Sequence, residues 1–131
     1  MTKEEEKLLL TDLCSRIPYG VRVKFTEFSS LKDKELMGVN VYDNDMTIVT
    51  CRTENGTITI PLKYVKPYLY PLSSMTEEQY DEYTNMGYSV TERWWSMSNY
   101  HQIDWLNKNH IDYRGLIEKG LAIDATNLNI Y

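Results

Sequence analysis

The chain has 131 residues, of which 42% are apolar and 25% charged, and its formal net charge is −5. This length and composition are typical of one ordered globular domain, residues 1–131, and exclude two ordinary domains or a long disordered chain. The negative charge argues against general binding to the nucleic-acid backbone, which requires many Lys and Arg side chains.

The opening residues indicate where the protein is located. They are acidic (MTKEEE) and lack the apolar core of a signal peptide, and no apolar run approaches membrane-spanning length. We therefore expect a cytoplasmic protein with no membrane partner.

The first predicted element is an amphipathic helix within residues 1–17. Thr2 and Glu5 have capping-box spacing, and apolar residues then recur at helical intervals until Pro18. The spacing predicts a helix from about Lys3 to Arg16. Its expected apolar stripe consists of Leu9, Leu10, Leu13, Cys14 and Ile17.

Residues 20–70 are predicted to form four or five short antiparallel strands. Apolar and polar residues alternate there, a period of two that is typical of half-buried strands. The residues expected to face the core include Val21, Val23, Phe25, Met37, Val39 and Val41, and a strand over residues 46–53 follows a turn at residues 43–45. We expect an α+β fold with a small curled sheet or SH3-like barrel capped by the N-terminal helix; an open meander packed on helices is the alternative.

The strongest local signal in this region is the pair Asn55-Gly56. It favours a two-residue type I′ turn, and counting outward from that turn pairs Cys51 with Ile60 across a hairpin. Pro61 cannot donate a hydrogen bond to a neighbouring strand, which predicts an edge or an irregular strand there.

Residues 76–131 are predicted to be mainly helical. A second capping box, Thr76 with Gln79, indicates a helix over residues 77–86 with the glycine at position 87 as its cap. A strand at residues 88–91 and a helix at residues 98–109 follow. Asp112 is expected to cap a shorter helix that Gly120 ends, and residues 121–131 form an extended, docked tail.

Few side chains suggest catalysis or metal binding. Cys14 and Cys51 are far apart in segments patterned for burial, so we expect two reduced core thiols. His101 and His110 do not have zinc-ligand spacing, and the sequence has no nucleophile elbow and no phosphate-binding glycine loop. We predict no catalytic residue, no metal and no other cofactor.

The first candidate binding site is an aromatic cluster around Arg93. Eleven Tyr and three Trp against two Phe favour recognition surfaces, which need apolar area together with a hydrogen-bonding group. On a strand, Trp94 and Trp95 would point to opposite faces, leaving one of them exposed beside Arg93 to stack on a base or on a partner's ring. The candidate residues are Tyr88, Arg93, Trp94, Trp95, Tyr100 and Trp105. The alternative is that the two Trp side chains clamp the C-terminal helices on the sheet.

A second candidate site is formed by Asp112 and Arg114. The free amides of a helix N-terminus and the positive charge of Arg114 could hold an anion. The alternative is that Asp112 occupies that position itself as the helix cap.

Four stretches of the chain carry a resemblance to a known group of proteins. They are LLLTDLCSRIPYGV (8–21), VKPYLYPLSSMTEEQY (65–80), IDWLNKNHIDYRGLI (103–117) and GLAIDATNLNIY (120–131). The chain resembles a family of small uncharacterised proteins encoded by Bacteroidales genomes, often in phages and prophages. The middle strands and residues 92–100 match less well. The resemblance implies a bacterial host cell and binding to a host protein, a nucleotide signal or a phage component, but no reaction and no catalytic residue.

These observations favour a non-catalytic binding protein of phage or prophage origin. Its expected partner is a host protein or a nucleotide-type small ligand, which would fit an anti-defence role. One alternative is a small hydrolase for a phosphate-containing substrate, built from Asp104 or a histidine. Another is a structural component that forms a homo-oligomer through the edge near Pro61 or through the tail.

Overall fold

The computed structural model describes residues 1–27, 33–42, 46–86 and 92–131, with the side chains of 92–99 excepted. These residues form the expected α+β fold, in which an N-terminal and a C-terminal helix pack on an open, mostly antiparallel sheet. The helices are α1 (Lys3–Arg16), α2 (Glu77–Met86) and α3 (Glu92–Lys108). The strands are β1 (Arg22–Phe25), β2 (Lys34–Val41), β3 (Thr47–Thr53), β4 (Gly56–Pro61), β5 (Val65–Pro71), β6 (Ile111–Asp112) and β7 (Ile123–Asp124).

The sheet has the strand order β4-β3-β2-β1-β5-β6, and β7 also pairs with β5. Strands β1 to β5 are the antiparallel strands predicted within residues 20–70, and β4 lies at the edge, as Pro61 indicated. The C-terminal part adds β6 and β7, which run parallel to β5. Each of these two strands has only two residues, too few for a period of two to be recognised in the sequence.

Helix α1 begins at the predicted capping box. The Thr2 hydroxyl accepts a hydrogen bond from the Glu5 backbone N–H at 3.1 Å, and the Glu5 carboxylate accepts one from the Thr2 N–H at 3.0 Å. The buried face of the helix consists of Leu9, Asp12, Leu13 and Arg16, a helical i, i+3, i+4, i+7 set. The expectation that Cys14 is a core thiol is wrong, because it follows Leu13 by one residue, lies about 100° further round the helix and is exposed.

Apolar side chains form two buried clusters. The main core joins α1 to the sheet and to the C-terminal segment, with Leu9, Leu13, Val21, Val23, Phe25, Leu36, Val49, Cys51, Ile60, Leu116 and Leu121 among its members. The second cluster lies under α2 and α3 and is formed by Trp105, Leu106 and Ile111, with Tyr70, Met75, Tyr83, Met86 and Tyr113 packed against it. Among the described residues, no helix is long and apolar enough to cross a membrane.

Strand β2 departs from strict alternation. A register shift between Leu36 and Gly38 inserts one extra residue, so Leu36 and Val39 both face the core although they are three positions apart. Met37 is 39% exposed and Val41 is 62% exposed. The expectation that these two side chains are buried is therefore wrong. The bulge turns Met37 away from the core, whereas Val41 shares the face of Val39 but is the last residue of the strand.

The hairpin of β3 and β4 forms with a different register from the predicted one. Val49 pairs with Ile60 and Thr53 pairs with Gly56, so the turn residues are 54 and 55 and the predicted pairing of Cys51 with Ile60 is wrong. The partner changes by two residues, which leaves the same side chains facing the core. The predicted register required pairing beyond Pro61, where the chain instead enters a 3₁₀ turn over residues 62–64.

The C-terminal part agrees with prediction at α2 and differs after it. The second capping box is present, with Gln79 N–H to the Thr76 hydroxyl at 3.1 Å, and α2 has the predicted bounds. Helix α3 begins six residues before the predicted start, and the expected strand at 88–91 and the glycine cap at 87 lie outside the described residues. The helix expected after Asp112 is a single turn over residues 116–120, because Gly115 has a φ of +74°, which an α-helix cannot contain.

Candidate functional site

A cavity of about 530 Å³ opens where α3 ends and the chain enters β6. It is lined by side chains from β5, the turn before α2, α2 itself, the end of α3 and the tail, and we call it the His110 cavity. The lining residues are Tyr70, Ser74, Gln79, Lys108, Asn109, His110, Ile111, Thr126, Asn127 and Tyr131. The side chains of this lining include the ammonium group of Lys108 and no Asp or Glu.

His110 holds an uncommon backbone conformation at the end of α3. Its φ is +59°, a left-handed value that costs an ordinary side chain about 1 kcal/mol. The turn is held by two hydrogen bonds, from the His110 N–H to the Asn107 carbonyl at 3.1 Å and from the Tyr70 N–H to the His110 carbonyl at 2.8 Å. Strain of this kind is concentrated at functional sites, so it draws attention to this residue.

The imidazole of His110 belongs to an aromatic wall formed with Tyr70 and Tyr131. The His110 and Tyr131 rings are stacked, with centroids 3.6 Å apart and planes 10° from parallel. The Tyr70 ring is tilted by 54° against Tyr131 at 6.0 Å. Tyr131 is held in place because its hydroxyl accepts the Arg22 N–H at 2.9 Å and donates to the Tyr68 carbonyl at 2.8 Å.

Burial and a nearby cation keep His110 neutral. Desolvation, followed by the positive charge of Arg16, lowers the pKa of the imidazole from 6.5 to about 4. Its Nδ1 atom is completely enclosed and has no hydrogen-bond partner among the described residues. Burial also raises the pKa of the Tyr131 phenol to about 12, so the two stacked rings of His110 and Tyr131 are both uncharged at neutral pH.

A group of charges, the Asp12 cluster, acts on His110 through Arg16. It consists of the buried Asp12 and Arg16 and the partly exposed Arg114. Asp12 and Arg16 are both 0% exposed, and the Arg16 Nε to Asp12 Oδ2 distance is 2.8 Å. Arg114 Nε lies 3.2 Å from Asp12 Oδ1, so two guanidinium groups share one carboxylate. Arg16 Nη2 also donates to the carbonyl of Ile111 at 2.7 Å, which links α1 to the residue that follows His110.

Tyr113 completes the packing around the Asp12 cluster. The Arg16 and Arg114 guanidinium carbons lie 5.2 and 4.9 Å from the centre of its ring, within the range of cation–π contacts. The cluster retains one formal positive charge in excess. Arg16 Nη1 is enclosed and has no hydrogen-bond partner among the described residues.

Asp112 and Arg114, the second candidate site, are both engaged inside the protein. The Asp112 carboxylate accepts the backbone N–H groups of Leu116 and Ile117 at 3.0 and 2.9 Å, which is the capping alternative. Arg114 binds Asp12 and also donates to the Tyr113 hydroxyl at 3.2 Å. The structure therefore brings these two residues to a buried junction and not to an open anion site.

The structure separates Tyr100 and Trp105, the two aromatic candidates whose side chains it describes. Tyr88 lies outside the described residues, as do the side chains of Arg93, Trp94 and Trp95, whose backbone belongs to α3 and not to a strand. Successive side chains on a helix are about 100° apart, so the argument from opposite strand faces does not apply to the Trp pair. Tyr100 is 71% exposed, whereas Trp105 is 6% exposed, in the second cluster, 5.8 Å from the Tyr83 ring.

A second opening, of about 590 Å³, lies on the other side of Tyr131, near Arg22. It is lined by three basic and three acidic side chains together with a threonine: Arg22, Asp33, Lys34, Glu35, Arg52, Thr53 and Glu54. Its charges are already paired in part, since Arg52 Nε lies 3.5 Å from the Glu35 carboxylate and Arg22 donates to the Asp33 carbonyl at 3.0 Å. The His110 cavity, whose lining has an aromatic wall and no acidic side chain, is the better candidate.

Sequence reasoning missed the residues that build the His110 cavity. His110 was considered only as a metal ligand or a catalytic group, and Tyr131 only as part of a docked tail. One signal was present in the sequence: Asp12 and Arg16 are four apart and share a helical face with Leu9 and Leu13. A charged pair on an apolar stripe indicates a buried ion pair.

The remaining groups with chemical potential do not converge. Asp104 and His101 are exposed on α3 and do not line the cavity. Within residues 1–27, 33–42, 46–86 and 92–131, apart from the side chains of 92–99, no three His, Cys, Asp or Glu side chains lie together as metal ligands do. Comparison with known proteins found no matching family model, no matching curated protein and no matching solved structure, so the site stands on its geometry alone.

Proposed function

We propose that this protein is a non-catalytic binding protein that holds a nucleotide-type small ligand in the His110 cavity. The observation that carries the proposal is the composition of the cavity: an aromatic wall, one ammonium group and several amide and hydroxyl groups, with no acidic side chain in the described lining. A planar ring with an attached negative group is the ligand class that such a lining fits. Of the two expected partners, a nucleotide-type small ligand is favoured over a host protein because the site is concave.

The aromatic wall supplies contact area for a planar ligand. Stacking of a base on an aromatic side chain contributes about 1–3 kcal/mol and tolerates different bases. The two hydrogen bonds of the Tyr131 hydroxyl hold its ring before any ligand arrives, so little conformational freedom is lost on binding. A volume of about 530 Å³ is within the usual range for small-molecule sites.

The polar lining supplies both kinds of hydrogen-bonding group. Gln79 uses its Oε1 to accept the Thr76 N–H at 3.0 Å, so its amide NH₂ remains available as a donor. Asn109 uses its Nδ2 to donate to the Trp105 carbonyl at 2.9 Å, so its Oδ1 remains available as an acceptor. Lys108 adds a positive charge at the end of α3 that can pair with a phosphate.

The same features support binding over hydrolysis. An effective general base has a pKa near the working pH, whereas burial and Arg16 lower the pKa of His110 to about 4. The described lining contains no Cys, Asp or Glu side chain that could act as nucleophile or partner base. Phage or prophage origin and a sequestering, anti-defence role are part of the proposal, and their support is the resemblance of the four sequence stretches.

The proposal is tested by calorimetric titration of the purified protein with nucleoside monophosphates and cyclic nucleotides. We expect saturable binding that Lys108→Met weakens at least about tenfold, which corresponds to about 1.4 kcal/mol. Lys7→Met is the matched control, since Lys7 is also an exposed helical lysine but does not line the cavity. Failure of every nucleotide to bind, or equal weakening by both substitutions, would contradict the proposal.

A further inference from the structure

The orientation of the His110 ring determines which edge a ligand meets. Nδ1 is completely enclosed, and the ring lines the cavity. One face of the ring is stacked on Tyr131. A ligand in the cavity therefore meets the imidazole at its opposite edge, which carries Nε2.

The surrounding charges determine which nitrogen carries the hydrogen. The Asp12 cluster contains two guanidinium groups and one carboxylate, and Arg16 is close enough for its charge to act on His110. The enclosed Nη1 of Arg16 is a donor without an acceptor. If Nδ1 also carried a hydrogen, two enclosed donors would remain unsatisfied beside a net positive charge, which is the more costly arrangement. With the hydrogen on Nε2, Nδ1 keeps a lone pair that a positive charge stabilises.

We infer that His110 is a specificity-determining donor whose Nε2–H binds an oxyanion of the ligand, a phosphate or a carboxylate. The inference rests on the proposed function and adds to it the chemical class of the group recognised. The charged side chain in the described lining is Lys108, and the Gln79 amide adds another donor. Three donors directed at one cavity fit an acceptor group carrying negative charge and disfavour an amino group at the same position.

The hydrogen position is measured on the unaltered full chain by long-range ¹H–¹⁵N correlation of the histidine rings at pH 7. We expect one tautomer for His110, with hydrogen on Nε2 and none on Nδ1. The exposed His101, the other histidine of the chain, provides the internal comparison for an imidazole in solvent. Hydrogen on Nδ1, or an averaged mixture like that of an exposed ring, would overturn the inference without affecting the proposed function.

Ligand chemistry is tested with adenosine 5′-monophosphate, adenosine 5′-carboxylate and adenosine. We expect each charged compound to bind at least about tenfold more tightly than adenosine and to shift the His110 Nε2–H resonance. A preference for the phosphate identifies that group, and equal affinities identify a general oxyanion site; both support the inference. Tighter binding of the charged compounds without a shift of the His110 Nε2–H resonance overturns the inference alone. Equal binding of adenosine and its monophosphate, or binding of none of the three, overturns it together with the proposed function.

Discussion

Asp12 is a single carboxylate shared by two guanidinium groups in a place that water does not reach. It lies 2.8 Å from Arg16 Nε and 3.2 Å from Arg114 Nε, and its side chain is 0% exposed. A buried ion pair adds little net stability compared with apolar packing, but loss of one partner leaves a buried charge without compensation. Loss of the Asp12 carboxylate should therefore lower stability mainly because it leaves the buried Arg16 guanidinium without a counter-charge.

Asp12→Asn should lower the free energy of unfolding by about 3–5 kcal/mol, because both guanidinium groups lose their counter-charge. Urea denaturation measures the change. Glu35→Gln is the control, since it removes the carboxylate of an exposed ion pair with Arg52, at 3.5 Å, and should cost no more than about 1 kcal/mol. Similar losses in the two variants would show that the Asp12 cluster does not have the assigned role.

His110 should make stability depend on pH in a defined window. Its pKa is lowered from 6.5 to about 4 by burial and by Arg16, so the unfolded chain binds the proton more tightly than the folded protein does. The stability that neutral His110 contributes is complete above pH 6.5. It decreases as the pH falls from 6.5 to about 4 and is lost below about pH 4. The difference in pKa corresponds to about 3 kcal/mol.

The comparison variant for this pH effect is His110→Asn, because asparagine tolerates a positive φ and does not titrate. Denaturation of both proteins between pH 4 and 7.5 gives the two pH profiles. We expect the unaltered protein to lose more stability than the variant between pH 6.5 and 4. Parallel profiles would mean that His110 has an ordinary pKa.

At the scale of elements, Gly120 ends the turn after Asp112 and reverses the direction of the chain. The Leu121 N–H donates to the Leu116 carbonyl at 2.9 Å and the Gly120 N–H donates to the Ile117 carbonyl at 3.0 Å, the two bonds of a Schellman motif. Gly120 has a φ of +73°, which allows the chain to reverse towards the tail. The tail in turn carries Tyr131 to the cavity.

Gly120→Ala should therefore destabilise the protein by about 1 kcal/mol, because an alanine is strained at this φ. Gly38→Ala is the matched control: a Cβ there meets no atom within 4 Å, and its φ lies outside the left-handed range. We expect that substitution to change the free energy of unfolding by less than about 0.5 kcal/mol. Chemical denaturation of both variants compares them, and equal effects would count against the motif.

Elements whose signals are local could be predicted from the sequence, and those that depend on distant contacts could not. The bounds of α2 follow from the adjacent pair Thr76 and Gln79, and both capping hydrogen bonds are present. The register of the β3–β4 hairpin places Val49 opposite Ile60 although Asn55-Gly56 is a strong turn signal. Both registers leave the same side chains facing the core, and the observed one ends at Pro61, after which the chain enters a 3₁₀ turn.

The candidate site shows the same limit. The capping role of Asp112 was one of two alternatives open in the sequence, since the residue and its amides are neighbours along the chain. The stacking of His110 on Tyr131 had no signal, because it joins two segments that only the tertiary fold brings together. The position of Lys108 in the cavity lining also had no signal in the sequence, because only the tertiary fold brings the lining segments together.

At the scale of the whole molecule, the two cysteines differ in burial, so their reactivity distinguishes the surface from the core. Cys51 lies in the main core with 0% exposed, and burial raises its thiol pKa to about 11. Cys14 is exposed on α1. The two thiols therefore differ in access to reagents, although neither belongs to the His110 cavity.

A colorimetric thiol reagent should modify one cysteine of the folded protein and both after denaturation. Cys14→Ser should abolish the rapid reaction of the folded protein. Only a slow reaction should remain, because the enclosed Cys51 reacts only when the core opens. Rapid modification of two thiols in the folded protein would contradict the described core. The rate of the slow reaction measures how often the core opens.

Tyr131 closes a very long loop. Its hydrogen bond to the Arg22 N–H joins residues 109 positions apart, and the Asp12–Arg114 contact joins residues 102 apart. Contacts this distant in sequence demand a large loss of chain entropy before they contribute, so in folding they form after the local hairpins and helices. The order of synthesis acts in the same direction, because Asp12 is synthesised 102 residues before Arg114. Because Tyr131 lines the His110 cavity, we expect the cavity to form late in folding.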